Sequence, residues 1–129
     1  MNRFAALILV LASSLSASAQ STSGFECNRQ WTMQETETNL ITTHEENVKA
    51  MVVIDWKAKW IRIECPSWDR KVDVFDFATH EVAEQTQIIT FYFNSKELKV
   101  AALFVKDMLL TIQFKDGRLE NFSLTKQLW

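Results

Sequence analysis

Residues 98–124 read LKVAALFVKDMLLTIQFKDGRLENFSL, and the way this stretch folds back on itself decides the fold. Two polar turn signals, Lys106-Asp107 and Lys115-Asp116-Gly117, separate three runs rich in large apolar residues. A two-residue turn at Lys106-Asp107 sets Val105 against Met108, Leu103 against Leu110 and Ala101 against Ile112. At the second signal two turns compete. A two-residue turn at Asp116-Gly117 places Asn121 and Ser123 beside Ile112 and Leu110. A three-residue loop with Gly117 in the left-handed position sets Phe122 opposite Leu110 and Leu124 opposite Met108. The three-residue loop keeps apolar beside apolar, and a slip of one residue turns every side chain to the other face. The product is an antiparallel meander whose apolar face carries Ala101, Leu103, Val105, Met108, Leu110, Ile112, Phe114, Phe122 and Leu124.

The same reading extends outward to strands at 28–36, 50–56, 61–65, 71–77, 87–93, 98–105, 108–114 and 119–124. A loop at Lys57–Trp60 pairs Trp56 with Ile61, Ile54 with Ile63 and Val52 with Cys65, and sets Asp55 against Arg62 on the opposite face. A four-residue loop at Asn94–Glu97 adds Ile88, Thr90 and Tyr92 to the core. Residues 37–49 and 79–85 are the ambiguous segments. The first reads as a loop or a poor strand, the second as one helical turn. The fold expected is all-β: a small antiparallel meander barrel or compact sandwich of 7–8 strands with one disulfide. The alternative is α+β, with helix in 37–49 or 79–85.

These registers leave Ile89, Phe91, Phe93, Val100, Ala102, Phe104 and Leu109 on a second face that is too apolar for a solvated barrel wall. A covering segment of the fold, a partner or second copy, or an inverted face assignment with one set lining a ligand cavity each accounts for it. Phe91, Phe93 and Phe104 are therefore candidate binding residues.

Met1–Ala19 has one positive charge at Arg3, an apolar run from Phe4 to Leu15 and an Ala17-Ser18-Ala19 end. That is the pattern of a secretory signal peptide, and the run is too short for a membrane span. Cleavage would leave a single β domain at residues 20–129, without a membrane span and in the periplasm or secreted. Losing Arg3 moves the net charge from −2 to −3. This balance excludes a basic nucleic-acid binder, and the apolar content excludes disorder. An outer-membrane barrel is set aside because Ser123, Thr125 and Gln127 are polar where a lipid-facing strand needs apolar residues. In an exported chain the even pair Cys27 and Cys65 is expected to form a disulfide, worth about 4 kcal/mol by loop entropy.

No nucleophile elbow, zinc-protease motif, phosphate loop or dinucleotide fingerprint is present. His44-Glu45-Glu46 and His80-Glu81, with Glu84 following, combine imidazole and carboxylate. Two histidines do not make a closed zinc site, and both segments read as solvated. No catalytic residue, metal ligand or cofactor is assigned. Five tryptophans remain conspicuous. Trp56 falls on the core face. Trp60 and Trp68 sit in turns among charged residues, as contact anchors do, and join the candidate binding set. The reading these features support is a non-enzymatic binding module, for a protein partner or as a homo-oligomer, with an inhibitory or surface role. A small barrel holding an apolar molecule is the second reading and an enzyme the third.

Overall fold

The computed structural model describes residues 21–65, 68–82 and 86–129. The expected signal peptide, Pro66-Ser67 of the second tryptophan turn, and residues 83–85 lie outside the described residues. The described chain forms nine antiparallel strands: β1 (Thr22–Glu35), β2 (Leu40–Asp55), β3 (Trp60–Cys65), β4 (Trp68–Asp73), β5 (Asp76–Val82), β6 (Thr86–Tyr92), β7 (Leu98–Phe104), β8 (Leu109–Phe114) and β9 (Arg118–Gln127). They make one sheet in the order β4-β3-β2-β1-β9-β8-β7-β6-β5. Every pair of sequence neighbours is paired except β4 and β5, and β1 pairs with β9 as well as with β2, which joins the two halves of the sheet.

The two edge strands, β4 and β5, are consecutive in sequence and joined only by Val74 and Phe75. The Val74 amide donates to the Lys59 carbonyl and the Phe75 amide to the Tyr92 carbonyl. The sheet therefore curls until its opposite edges meet at one corner, giving a half-barrel. Contacts across the hollow fix the curl. Trp56, in the β2–β3 turn, stacks on Phe91 of β6 at 5.9 Å between centroids and meets Phe77 of β5 edge-on at 5.4 Å. The Trp56 indole N–H donates to Ser23 Oγ at 2.8 Å. The interior is filled by Phe25, Val52, Ile54, Ile61, Ile63, Ile89, Phe91, Leu110, Ile112 and Phe122, all buried.

The central meander forms as its turn chemistry requires. Leu103 faces Leu110, Ala101 faces Ile112 and Leu110 faces Phe122. Gly117 has φ +90°, and its amide donates to the Phe114 carbonyl. That conformation suits glycine and marks the three-residue loop.

Two expected registers are displaced. In the β2–β3 hairpin, Ile54 faces Ile61, Val52 faces Ile63 and Asp55 faces Trp60, a shift of two residues. The shift preserves the inward set but not the Asp55–Arg62 pair. Asp55 instead closes the turn. Its carboxylate accepts the amides of Lys57 and Ala58, and its carbonyl accepts that of Lys59, which sits at φ 60°. In the β6–β7 hairpin the register is displaced by one, so Ile89 faces Leu103 and Phe91 faces Ala101. Ile88, Thr90 and Tyr92 then point outward, and Ile89, Phe91 and Phe93 point inward. The cause lies at the start of β7, where an irregularity between Leu98 and Val100 takes up one residue.

Residues 40–49 are strand, not helix or loop, and residues 79–82 belong to β5 rather than to a helical turn. No disulfide joins Cys27 and Cys65. Cys27 faces Ala50 of β2, and Cys65 lies one step beyond the Met51–Glu64 pair of β2 and β3. A whole strand stands between them, which puts their Cα atoms about 10 Å apart, beyond the roughly 7 Å a disulfide spans.

Candidate functional site

Two places break the pattern of a filled, evenly paired sheet. The first is the far part of the β1–β2 hairpin. β3 pairs only with Met51–Asp55 of β2, so among the described residues no strand lies beside the outer edge of Leu40–Ala50. Every residue from Leu40 to Asn47 is exposed, with Leu40 at 49% and Ile41 at 48%. β1 shifts register between Cys27 and Arg29 in both of its ladders but stays paired with β9 as far as Gln34, so the outer part of β2 is the free edge of the sheet here. Such bulges bend a strand and raise its twist. A tight turn closes the tip, where Thr36 and Asn39 exchange backbone and hydroxyl hydrogen bonds of 2.7–3.0 Å. Along the arm Arg29 Nε donates to Glu45 at 2.8 Å, with its guanidinium carbon 4.5 Å from the Trp31 ring centre, and His44 stands 3.6 Å from Glu46.

The second place is the upper end of the interior, where polar side chains replace the apolar core. Glu120 of β9 is buried at 7% exposure. It is held by Arg70 of β4, which reaches it across the hollow and binds both carboxylate oxygens. Arg118, one turn of the pleat above Glu120, lies with its guanidinium carbon 4.0 Å from the Phe114 ring centre. Arg70 approaches the same ring at 6.0 Å. The Arg118 Nε is buried without a hydrogen-bond partner, and among the described residues no carboxylate forms an ion pair with this side chain. Phe114, Arg118 and Glu97 line two adjoining open cavities of about 520 and 450 Å³. Arg70, Lys71, Lys96 and Lys115 add positive charge to the walls, against Asp73, Glu97 and Asp116. The rim is braced. Ser95 Oγ accepts the amides of Glu97 and Leu98, and Lys115 Nζ donates to the Ser95 carbonyl at 2.6 Å.

The candidate binding residues scatter over the molecule. Phe91, at 1% exposure, is interior core, where no partner reaches it. Phe93 is half-buried and packs against the same core. Phe104 lies on the outward face opposite Ile88, half-buried. The apolar second face is thus divided: Ile89, Phe91 and Phe93 fill the interior, while Ala102, Phe104 and Leu109 stay on the outer wall. Trp60 faces outward from β3 with Lys71 Nζ 5.1 Å from its ring centre, and Trp68 opens β4 opposite Cys65. His44 and His80 are exposed and far apart in the sheet. Among the described residues no three His, Cys, Asp or Glu side chains converge as metal ligands.

The sequence places Phe114 on the core face, but no motif marks it as a site residue or marks Arg70, Arg118 or Glu120. The signal was present in β9. Once Phe122 and Leu124 are set inward, alternation carries Glu120 and Arg118 inward as well. Charged residues on a core-facing register mark a site or a buried ion pair.

No family model matches the chain, and a search of curated proteins found no relative.

Proposed function

We propose that this protein is a non-enzymatic binding module that captures an extended segment of a partner protein along the free edge of β2. The supporting observation is the unpaired outer edge of Leu40–Ala50, carried on an exposed arm. A strand edge offers a row of unsatisfied amides and carbonyls, and an added strand satisfies them. The charged residues Glu45, Glu46 and Lys49 along this edge, with His44 beside them, oppose indiscriminate pairing and select the incoming strand by its charge pattern. Leu40 and Ile41 at the tip provide apolar contact area. The expectation of a periplasmic or secreted protein fits this role, since a passive binder needs neither cofactor nor energy source.

The test is site-specific photocrosslinking in the native host. A photoreactive side chain is placed at Thr42 or Asn47, and at Lys99 on the outer wall as a control. Crosslinks to one distinct protein from the two arm positions, absent from Lys99 and lost on Asn47→Pro, are expected. Crosslinks only to a second copy of the chain would replace this reading with a homo-oligomer. Equal crosslinking from Lys99 would remove the arm from the account.

A further inference from the structure

We infer that the cleft over Phe114 is a binding site for a small organic anion, whose carboxylate or phosphate group is held by Arg118. Three observations converge on it. The Arg118 guanidinium is partly buried, and its Nε has no hydrogen-bond partner. A buried donor left unpaired costs stability until something accepts from it. The neighbouring carboxylate that would neutralise it, Glu120, is already committed to Arg70. Arg118 therefore carries a partly buried positive charge that no carboxylate pairs among the described residues, on a planar fork that suits a carboxylate or phosphate.

The cavities give the size and shape of the ligand. At about 450 and 520 Å³ they exceed what a lone inorganic ion fills. The Phe114 ring lies in the wall of both cavities beside the anion-binding fork. An aromatic or other flat apolar body attached to the acid group would lie along this wall, where Arg118 already covers the ring of the buried Phe114. Lys96 and Lys115 line the same cavity and add long-range attraction. The bracing of this rim by Ser95 and Lys115 holds the cleft in shape without a ligand.

The experiment is calorimetric titration of the purified protein at low salt with benzoate, phenyl phosphate and inorganic phosphate, with amide shifts mapped by NMR. One-to-one binding of benzoate or phenyl phosphate is expected, moving the resonances of residues 95–98 and 114–118. Whichever binds more tightly identifies the acid group as carboxylate or phosphate. Arg118→Gln should weaken that binding about tenfold or more, the worth of one charge-assisted contact, while leaving the melting temperature unchanged or raised. Arg118→Lys keeps the charge without the fork and should fall between the two. It also serves if Arg118→Gln fails to fold. Lys99→Gln, outside the cleft, should bind as the unaltered protein does. Inorganic phosphate binding as tightly as phenyl phosphate would overturn the organic body. No binding at millimolar concentrations, or equal binding by Arg118→Gln, would overturn the site.

Discussion

The two ends of β2 are one strand in opposite surroundings. From Met51 to Ile54 it lies between β1 and β3, and Val52, Val53 and Ile54 are buried, as is Ala50 just before them. From Leu40 to Asn47 it has β1 on one side only, and nothing is buried. The sequence changes with the surroundings, from Leu-Ile-Thr-Thr-His-Glu-Glu-Asn to Ala-Met-Val-Val-Ile-Asp. Backbone pairing and exposed side-chain contacts such as Arg29–Glu45 hold strand geometry in the arm, whereas the barrel end is held by burial. Stability should be concentrated in the barrel end and recognition in the arm. Perturbations that separate these two properties test the contrast.

The largest effect belongs to the interior. Phe91→Ala removes one ring of a three-ring cluster, stacked on Trp56 and tilted against Phe77, at the corner where the sheet curls onto itself. It should cost about 3–5 kcal/mol in urea unfolding followed by tryptophan fluorescence. A loss under about 1 kcal/mol would mean that the corner is loosely packed and the curl is held elsewhere. Glu120→Ala should come next, because it removes the buried carboxylate that binds Arg70 across the hollow. Arg70 is half-exposed, so the loss should be about 1–3 kcal/mol rather than the larger value for a fully buried pair. Arg70→Met combined with Glu120→Ala should recover part of it. No recovery would show that Glu120 matters for packing and not for charge.

How far the sequence announced this arrangement differs between regions for physical reasons. The meander from Ala101 to Leu124 was legible because Lys106-Asp107 and Gly117 are turn signals of fixed length, which tie register to apolar alternation. The β6–β7 hairpin was not, because its loop contains no glycine and the irregularity between Leu98 and Val100 absorbs a residue without any compositional mark. One residue of slip then reversed the faces of Phe91 and Tyr92. The arm was illegible as strand because its polar alternation has no core to register against; its pairing is set by β1 alone. The cysteine pair misled because compartment and parity indicate bonding but carry no information about intervening strands. Of the cleft, only Phe114 is marked by apolar alternation; Arg118 and Glu120 share the inward register of Phe122 and Leu124 but are charged.

The barrel end also carries a pH signature. Burial pushes the Cys27 thiol above its ordinary value, more than a backbone hydrogen bond with Arg29 lowers it, and the nearby Cys65 adds to the rise. A group whose pKa is raised on folding contributes its full stability below the unfolded value, about 8.5 for a thiol. That contribution is lost as pH rises through the folded value. Stability should therefore fall more steeply above about pH 8.5 in the unaltered protein than in Cys27→Ala. Equal slopes would mean that Cys27 ionises as readily folded as unfolded. A thiol reagent should modify half-buried Cys65 before buried Cys27 for the same reason.

The smallest effect on stability, and the sharpest division, belongs to the tip of the arm. Leu40 and Ile41 are large apolar side chains held half in water, with no core beneath them. Replacing both by serine removes no buried contact and leaves the Thr36–Asn39 turn intact. The variant should therefore unfold within about 0.5 kcal/mol of the unaltered protein, as exposed substitutions do. Amide exchange should already separate the two ends of β2, with residues 40–47 exchanging by local opening well before 50–54, which wait for the barrel to open. If the arm is the recognition element, the same double change should reduce partner crosslinking from Thr42 and Asn47 while the unfolding curve stays in place. A large loss of stability instead would mean that the tip packs on something, and the arm would then belong to the core rather than stand apart from it.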